Sequence, residues 1–179
     1  VTVNRFCSSG LETIGMAVAK IQSGMADCII AGGAESMSSV PMTGFKPELN
    51  YDTVAAGHEE YYWGMGNTAE AVANEFKISR ADQDKFALNS HLKALKAQAE
   101  GRFQSQIVPI NVNQTFVDAN GKKATKSYTV NKDEGPRMGS NLAGLTRLRP
   151  VFAADGSVTA GNSSQMSDGA AFVLVMSED

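Results

Sequence analysis

Basic clusters, long apolar runs and metal-ligating motifs are all missing from this sequence of 179 residues. The formal net charge at pH 7 is -3, and lysine and arginine do not gather into the basic patch that nucleic-acid binding requires. No apolar run is long enough to span a bilayer. The two cysteines form no CxxC pair, which excludes a disulfide framework and a structural zinc site. We therefore expect no nucleic-acid partner, no membrane span and no bound metal.

Both ends of the sequence have the pattern of interrupted strands. Residues 1–3 are Val-Thr-Val without an initiator methionine, and the apolar segment Ala170–Met176 lies almost at the other end. We expect the chain to be truncated at both ends, so its residues do not decide whether a targeting segment lies outside it. From the residues present, the expected compartment is the cytoplasm.

The first 40 residues alternate between strand and helix patterns. The predicted elements are a strand at Val1–Phe6, a helix that Ser9 begins in a capping box with Glu12, and a strand at Asp27–Ala31 that Gly32-Gly33 ends. This order predicts an α/β fold with a parallel sheet covered on both faces.

The middle of the chain predicts an inserted α+β lobe. Residues 37–62 lack periodicity and are predicted as loop. The predicted helices that follow are one with Asn67 as its N-cap, one that Ser79 caps and that runs to about Glu100, and a short one at Leu142–Leu148. Strands are predicted at Ile107–Val112 and Ser127–Val130, with a hairpin or exposed loop between them. We predict a core segment at 1–40, the lobe at 41–157 and a return to the core at 158–179, where Ala170–Met176 is a strand.

Cys7 is the candidate nucleophile, because it lies where a strand ends and a helix begins. Unpaired N–H groups and the helix dipole stabilise negative charge at such a position, and small neighbours from Ser8 to Gly10 leave the sulfur accessible. The competing interpretation is a small buried hydrophobic residue, which we keep for Cys28.

A cysteine nucleophile normally needs a base nearby, and the sequence has two histidines. His58 lies in a polar loop and is predicted to be solvated. His91 lies on a predicted helix in a register that favours exposure. Neither is a convincing partner for Cys7, so a self-contained cysteine–histidine hydrolase is disfavoured.

Several motifs, taken in order, resemble those of the thiolase family and cover essentially the whole chain. They are Val3–Leu11 (VNRFCSSGL), Gly32–Ser38 (GGAESMS), Gly64–Glu70 (GMGNTAE), Leu148–Phe152 (LRPVF), Thr159–Ser164 (TAGNSS) and Ser167–Ala171 (SDGAA). The forms Cys-Ser-Ser-Gly-Leu and Gly-Asn-Ser-Ser-Gln look closer to degradative 3-ketoacyl-CoA thiolases than to acetoacetyl-CoA thiolases.

The resemblance implies a parallel or mixed sheet core with an inserted loop domain, and thiolysis of 3-ketoacyl-CoA through an acyl group on Cys7. It implies coenzyme A as a substrate rather than a permanently bound cofactor, and a homodimer or a tetramer of dimers. The positions that match CoA contacts of the family are Met65, Arg137, Leu148, Phe152, Ala160 and Ser164.

Each of these positions also has an ordinary interpretation. Arg137 would pair with Asp133 or Glu134, Ser164 would form a turn, and the apolar residues would be core. Gly64 and Gly144 depart from family members that have histidine and serine there, which puts details of CoA binding in doubt.

The family's catalytic histidine and second catalytic cysteine lie downstream of the matching region. We therefore expect this segment alone to be inactive. Two alternatives remain open for the intact protein: a biosynthetic acetoacetyl-CoA thiolase, and a non-catalytic CoA- or lipid-binding protein on the same scaffold.

Overall fold

The computed structural model describes residues 2–178, which form five α-helices, four strands and two 3-10 turns. The helices are α1 (Ser9–Gln22), α2 (Tyr51–Ala55), α3 (Met65–Glu75), α4 (Arg80–Ala99) and α5 (Leu142–Thr146), the strands are β1 (Cys28–Glu35), β2 (Ile110–Val117), β3 (Lys123–Val130) and β4 (Gly169–Met176), and the 3-10 turns are Phe6–Ser8 and Glu59–Tyr62. No helix within the described residues has the length and hydropathy needed to cross a membrane.

The chain divides into two units by its internal contacts. The first comprises Val1–His58 and Gln165–Asp179, and the second comprises Glu59–Ser164. The turn after residue 157 belongs to the second unit because its backbone and side chains bond to α3 and α4. The boundaries predicted at 40/41 and 157/158 stay a prediction for the intact protein.

The sheet of the first unit is formed by β1 and β4, which pair antiparallel from Cys28 opposite Met176 to Glu35 opposite Gly169. Helix α1 packs on both strands, and Ala17 of α1 is buried. The strand predicted at Ala170–Met176 is confirmed. The predicted parallel strand–helix–strand unit is not formed in residues 2–178, because residues 2–5 are not a strand.

The strand predicted at Val1–Phe6 is therefore wrong for residues 2–6, and Val1 lies outside the described residues. Hydrogen bonds to nearby side chains take the place of bonds to a neighbouring strand. Phe6 N–H donates to Asn4 Oδ1 at 2.8 Å, and Arg5 N–H donates to Ser9 Oγ at 2.9 Å. Such short polar side chains compete with strand pairing for the backbone.

Two predictions about β1 are also wrong. The strand continues through Gly32-Gly33 to Glu35, because Gly32 is a point of close approach where an added Cβ would lie 2.5 Å from Phe172 Cδ1. Cys28, expected to be buried, is exposed. It begins β1 at the end of a two-stranded sheet, where little of the described chain covers it.

The second unit differs from the predictions mainly at element ends. Helix α3 begins after Gly64 rather than Asn67, because Asn67 N–H already donates to Gly64 O within the first turn. The predicted cap of α4 is confirmed, since Ser79 Oγ accepts the Asp82 N–H at 3.1 Å. The short helix predicted near Leu142 is confirmed as α5.

Two further segments are more regular than predicted. Of the alternatives for residues 114–126, the hairpin is the one that forms: residues 114–117 and 123–126 extend β2 and β3, and only a short turn separates them. In that turn Asp118 Oδ1 accepts N–H groups from Asn120 and Lys122, both at 2.9 Å. Within residues 37–62, α2 forms because Asn50 Oδ1 caps it by accepting the Thr53 N–H at 3.1 Å.

Ser38 and Asp168 join the segments that flank the β1–β4 pair. Asp168 Oδ1 accepts the Ser38 N–H at 2.8 Å, and its Oδ2 accepts the Ser38 hydroxyl at 2.5 Å. These bonds, the hydroxyl bond first, lower the pKa of Asp168 because they stabilise the ionised carboxylate.

Asp168→Asn is expected to make the first unit less stable at neutral pH and less sensitive to acid. The folded pKa of Asp168 lies below its unfolded value of about 3.9. Its stabilising effect is therefore present above pH ~4 and is lost as pH falls through the folded pKa. Urea unfolding of the intact protein between pH 7 and pH 3 measures this. Asp27→Asn, at an exposed position in the same unit, is the control, and identical pH profiles for Asp168→Asn and wild type would contradict the prediction.

Candidate active site

Cys7 lies in the 3-10 turn Phe6–Ser8, which leads directly into α1. Its side chain is exposed, so the interpretation of Cys7 as a buried hydrophobic residue does not hold in the described chain. The N-terminal end of a helix carries unpaired N–H groups and partial positive charge. The position therefore suits a thiol that attacks a carbonyl and then holds an acyl group.

The backbone immediately before Cys7 is in an uncommon conformation. Phe6 has φ of 49°, in the left-handed region that residues other than glycine rarely adopt. Bonds on both sides maintain it, because Asn4 Oδ1 accepts the Phe6 N–H at 2.8 Å and Ser9 Oγ donates to Phe6 O at 2.8 Å. Backbone strain of this kind clusters at functional sites, and here it turns the chain at the residue that precedes the candidate nucleophile.

The capping box predicted for Ser9 and Glu12 is not formed. Ser9 is the first residue of α1 and Ser8 is the N-cap, without a side-chain capping bond. Glu12 instead lies 3.6 Å from Arg5, an exposed ion pair of the kind that contributes little stability. Ser9, Glu12 and Arg5 therefore act on the turn that carries Cys7 rather than on the helix end.

The second unit contains all six positions that match CoA contacts. Met65 is the first residue of α3 and is 62% exposed, while Leu148 and Phe152 are 38% and 45% exposed. Ala160 and Ser164 are also exposed. Within the described part of the chain, the side chains of these positions are therefore at least partly accessible to a ligand.

Two glycines allow the apolar candidates to pack closely. The Phe152 ring lies against Gly66, where an added Cβ would clash with it. Leu148 lies against Gly161, where a Cβ would be 2.5 Å from Leu148 Cδ1. Phe152 is thereby placed beside the start of α3, and Leu148 beside the residue that follows Ala160.

Arg137 is held through its backbone by His91. The Arg137 N–H donates to His91 Nδ1 at 3.1 Å, and His91 is half-buried rather than exposed as its helix register predicts. No ion pair of Arg137 with Asp133 or Glu134 forms in residues 2–178. The guanidinium is therefore available to an anionic ligand. His58 lies in the first unit, after α2, where its N–H donates to Thr53 O at 3.1 Å.

An ion pair between the buried Asp84 and the partly exposed Arg80 links α4 to the segments that carry Leu148 and Ala160. Asp84 is 2% exposed, and Arg80 Nε lies 2.9 Å from its Oδ2 and 3.0 Å from its Oδ1. Arg80 Nη2 donates to the carbonyl oxygens of Leu145 at 2.7 Å and Leu148 at 3.0 Å. Asn162 Nδ2 completes the set by donating to Asp84 Oδ1 at 3.0 Å.

All of the chain, residues 1–179, matches the family model described as thiolase, N-terminal domain. The chain belongs to the thiolase family. It is 50% identical to the 3-ketoacyl-CoA thiolase of Bacillus subtilis (strain 168) over 179 residues, which are 100% of this chain and 46% of that protein. It is 43% identical to a probable acetyl-CoA acyltransferase of Staphylococcus aureus (strain COL), over 99% of this chain and 46% of that protein. The chain thus spans about half the length of the curated relatives it matches.

Solved thiolase structures confirm the predicted thiolase fold. The dimeric peroxisomal thiolase of Saccharomyces cerevisiae aligns with a TM-score of 0.76 at 39% identity, over 98% of this chain and 43% of that chain. The Bacillus anthracis acetyl-CoA acetyltransferase aligns with a TM-score of 0.72 at 39% identity, over 99% of this chain and 45% of that chain.

Sequence reasoning missed the buried polar groups of this thiolase domain. The signal for Arg80 and Asp84 is an opposite-charge pair four residues apart, which predicts an exposed helix pair and does not reveal burial. Glu70, also buried at 7% exposure, and Asn162 stand out in the sequence only as members of the family motifs.

Glu70 holds the chain just before the Ala160 turn. Its carboxylate accepts the Ser157 N–H at 2.9 Å and the Val158 N–H at 2.8 Å, and the Ser157 hydroxyl at 3.3 Å. Burial by itself raises the pKa of Glu70, but the hydrogen bonds from Ser157 and Val158 outweigh it, so that the pKa lies below its usual value.

Glu70→Gln is expected to lower the free energy of unfolding by about 1–3 kcal/mol, because the new amide places a donor against backbone donors that then lack an acceptor. The matched control is Glu75→Gln on the same helix, where the side chain is exposed. Urea unfolding of the intact protein at pH 7 measures both variants. Equal stabilities of the two variants would show that the Glu70 bonds are not important for the fold.

Proposed function

We propose that the intact protein is an acyltransferase that cleaves 3-ketoacyl-CoA with CoA, yielding acetyl-CoA and a shortened acyl-CoA. The observation that carries this proposal is an exposed cysteine, Cys7, at the start of α1, directly after a strained residue and inside a thiolase motif. The proposed setting is fatty acid β-oxidation. The 50% identity to a 3-ketoacyl-CoA thiolase supports the degradative assignment.

The proposed chemistry has two steps that share Cys7. First, the thiolate attacks the 3-keto carbon, and the bond between C2 and C3 breaks. The electron pair of that bond forms the enolate of acetyl-CoA, which takes up a proton, and the remaining acyl group stays on sulfur as a thioester. Second, the thiol of a second CoA attacks this thioester and loses its proton, and the Cys7 thiolate departs. Cysteine suits both steps because it is a strong nucleophile and a good leaving group.

Helix α1 supports the first step electrostatically. Negative charge develops on the carbonyl oxygen beside Cys7, and the N-terminal end of a helix stabilises such charge. The turn around Phe6 presents the sulfur without requiring reorganisation at the moment of attack. A proton donor and acceptor for the enolate and for CoA are proposed to come from the rest of the intact protein.

CoA binding is proposed for the second unit. The Arg137 guanidinium suits the phosphates or the adenine of CoA, because it pairs with anions and stacks on planar rings. The accessible side chains of Met65, Leu148, Phe152 and Ala160 suit the apolar parts of the pantetheine arm, and Ser164 suits its amide. CoA is a substrate in this scheme and leaves with the product.

Two further proposals concern assembly and the competing functions. We propose a homodimer, or a tetramer of dimers, on the ground that one structural relative is a dimeric thiolase. The biosynthetic alternative is supported by the similarity to an acetyl-CoA acetyltransferase structure. A non-catalytic CoA- or lipid-binding protein is disfavoured by the exposed cysteine in its thiolase motif.

Mass spectrometry after brief exposure of the intact protein to a 3-ketoacyl-CoA is expected to find the shortened acyl group on Cys7. Cys7→Ser should lose the adduct and lower kcat by roughly a thousandfold or more. Cys28→Ser, the matched control at the other exposed cysteine, should retain both adduct and activity. An acyl adduct elsewhere, with Cys7 free, would overturn the assignment.

Acyl-chain preference is expected to separate the two enzyme functions. For a degradative thiolase, kcat/KM with medium- and long-chain 3-ketoacyl-CoA should equal or exceed that with acetoacetyl-CoA. Steady-state kinetics on a series of chain lengths measures this. Full activity on acetoacetyl-CoA with none on longer substrates would show the biosynthetic function instead.

A further inference from the structure

The buried carboxylate of Asp84 accepts hydrogen bonds at both of its oxygens, although Asp84 is not one of the proposed CoA contacts. Arg80 Nε bonds to both of its oxygens, and Asn162 Nδ2 bonds to Oδ1. A buried ion pair adds little net stability compared with an apolar pair of the same shape. The ion pair of Asp84 and Arg80 is therefore expected to matter for the position of the segments that it holds, and not for stability alone.

On one side, Asp84 acts through Arg80 on the end of α5. Arg80 Nη2 donates to Leu145 O and Leu148 O, two carbonyl groups at and after the helix end. Leu145 O also accepts the Leu148 N–H at 3.0 Å, so the guanidinium adds a second bond to a closed turn. A guanidinium can make these bonds and the bonds to Asp84 together because its donors form a planar fork. The backbone of Leu148 is thereby held against α4.

On the other side, Asp84 acts through Asn162 on the turn that contains Ala160. Asn162 Nδ2 also donates to Ser157 O at 3.1 Å, and its Oδ1 accepts the Thr159 N–H at 2.7 Å. Thr159 is completely buried. The turn from Thr159 to Asn162 is therefore closed by a side chain that also bonds to Asp84.

The two segments meet directly. A Cβ on Gly161 would lie 2.5 Å from Leu148 Cδ1 and 2.6 Å from Leu145 Cδ2, so the leucine side chains lie on the Gly161 backbone. One carboxylate thus bonds, through Arg80 and Asn162, to both the segment that carries Leu148 and the turn that carries Ala160.

We propose that Asp84 is a positioning residue for the CoA site. It holds Leu148 and Ala160 where they contact the pantetheine arm of CoA. This inference rests on the proposed function, since it takes both residues as CoA contacts. Asp84→Asn removes the charge that pairs with Arg80 and puts an amide donor at one of the two oxygen positions, both of which face Arg80 Nε, so the bonds between Arg80 and residue 84 are weakened. Misplacement by about 1 Å is enough to weaken a positioned site by one to two orders of magnitude.

Single-turnover acylation of Cys7 in the intact protein tests the inference with two substrates. In the proposed site, acetoacetyl-CoA contacts Leu148 and Ala160 through its pantetheine arm. The acetoacetyl thioester of N-acetylcysteamine lacks the nucleotide and most of the pantetheine arm. Asp84→Asn is expected to lower the second-order acylation rate with acetoacetyl-CoA roughly tenfold, by raising the half-saturating concentration. With the short thioester, the rate should stay within about twofold of wild type.

Arg80→Lys is the second variant, and it should reproduce the selective loss because lysine lacks the fork that joins Asp84 to the two carbonyl groups. If Asp84→Asn does not fold, Arg80→Lys by itself tests the inference. Asp155→Asn, at an exposed position of the same unit, is the matched control and should behave as wild type with both substrates.

An equal loss with both substrates in the Asp84 and Arg80 variants would overturn the inference, because it would show a general structural role. So would unchanged rates with both substrates. The absence of Cys7 acylation in the unmodified protein would have a different meaning: it would overturn the proposed function itself, and this inference with it.

Discussion

The second unit depends on the burial of one carboxylate, that of Asp84. A charge removed from water must be paired and hydrogen-bonded, and the partners of Asp84 come from helix α4 itself and from a turn far along the chain. Arg80 extends the set to the end of α5. The need to compensate one buried charge therefore brings α4, α5 and the Thr159–Asn162 turn to defined positions.

Glu70 obeys the same constraint with a different set of donors. Its partners are the backbone N–H groups of Ser157 and Val158, just before the turn that Asn162 closes. Two buried carboxylates on neighbouring helices thus hold one short segment from both ends. Glycines at 156 and 161 complete the arrangement, because a side chain at either position would meet Glu70 or Leu148.

The turn that carries Cys7 is built differently, from exposed and local interactions. Asn4 and Ser9 bond to the backbone around Phe6 and hold it in the left-handed region. These bonds span at most four residues, so the turn is specified by a short stretch of sequence. An exposed cysteine on such a turn suits the proposed reaction with an acyl-CoA.

The sequence predicted the elements whose signals are local. The cap at Ser79, the short helix near Leu142 and the strand at Ala170–Met176 were predicted, because capping chemistry and periodicity depend on neighbouring residues. The family motifs were equally local, and the comparisons confirmed the thiolase fold. Among the predictions that failed, the end of β1 and the burial of Cys28 depend on which other segment lies alongside. The strand through Phe6 and the capping box at Ser9 failed because the side chains of Asn4 and Ser9 bond instead to the backbone around Phe6.

The candidate site divides in the same way. By itself, the sequence determined the family, the position of Cys7 before a helix and the residue types available for CoA. Only the tertiary structure decided that Asp84 and Glu70 are buried, that His91 holds the Arg137 backbone and that Gly161 receives Leu148. The physical reason is that burial and pairing over 46 to 88 residues of separation depend on how the chain packs, and an ion pair four residues apart has the same sequence pattern whether it is exposed or buried.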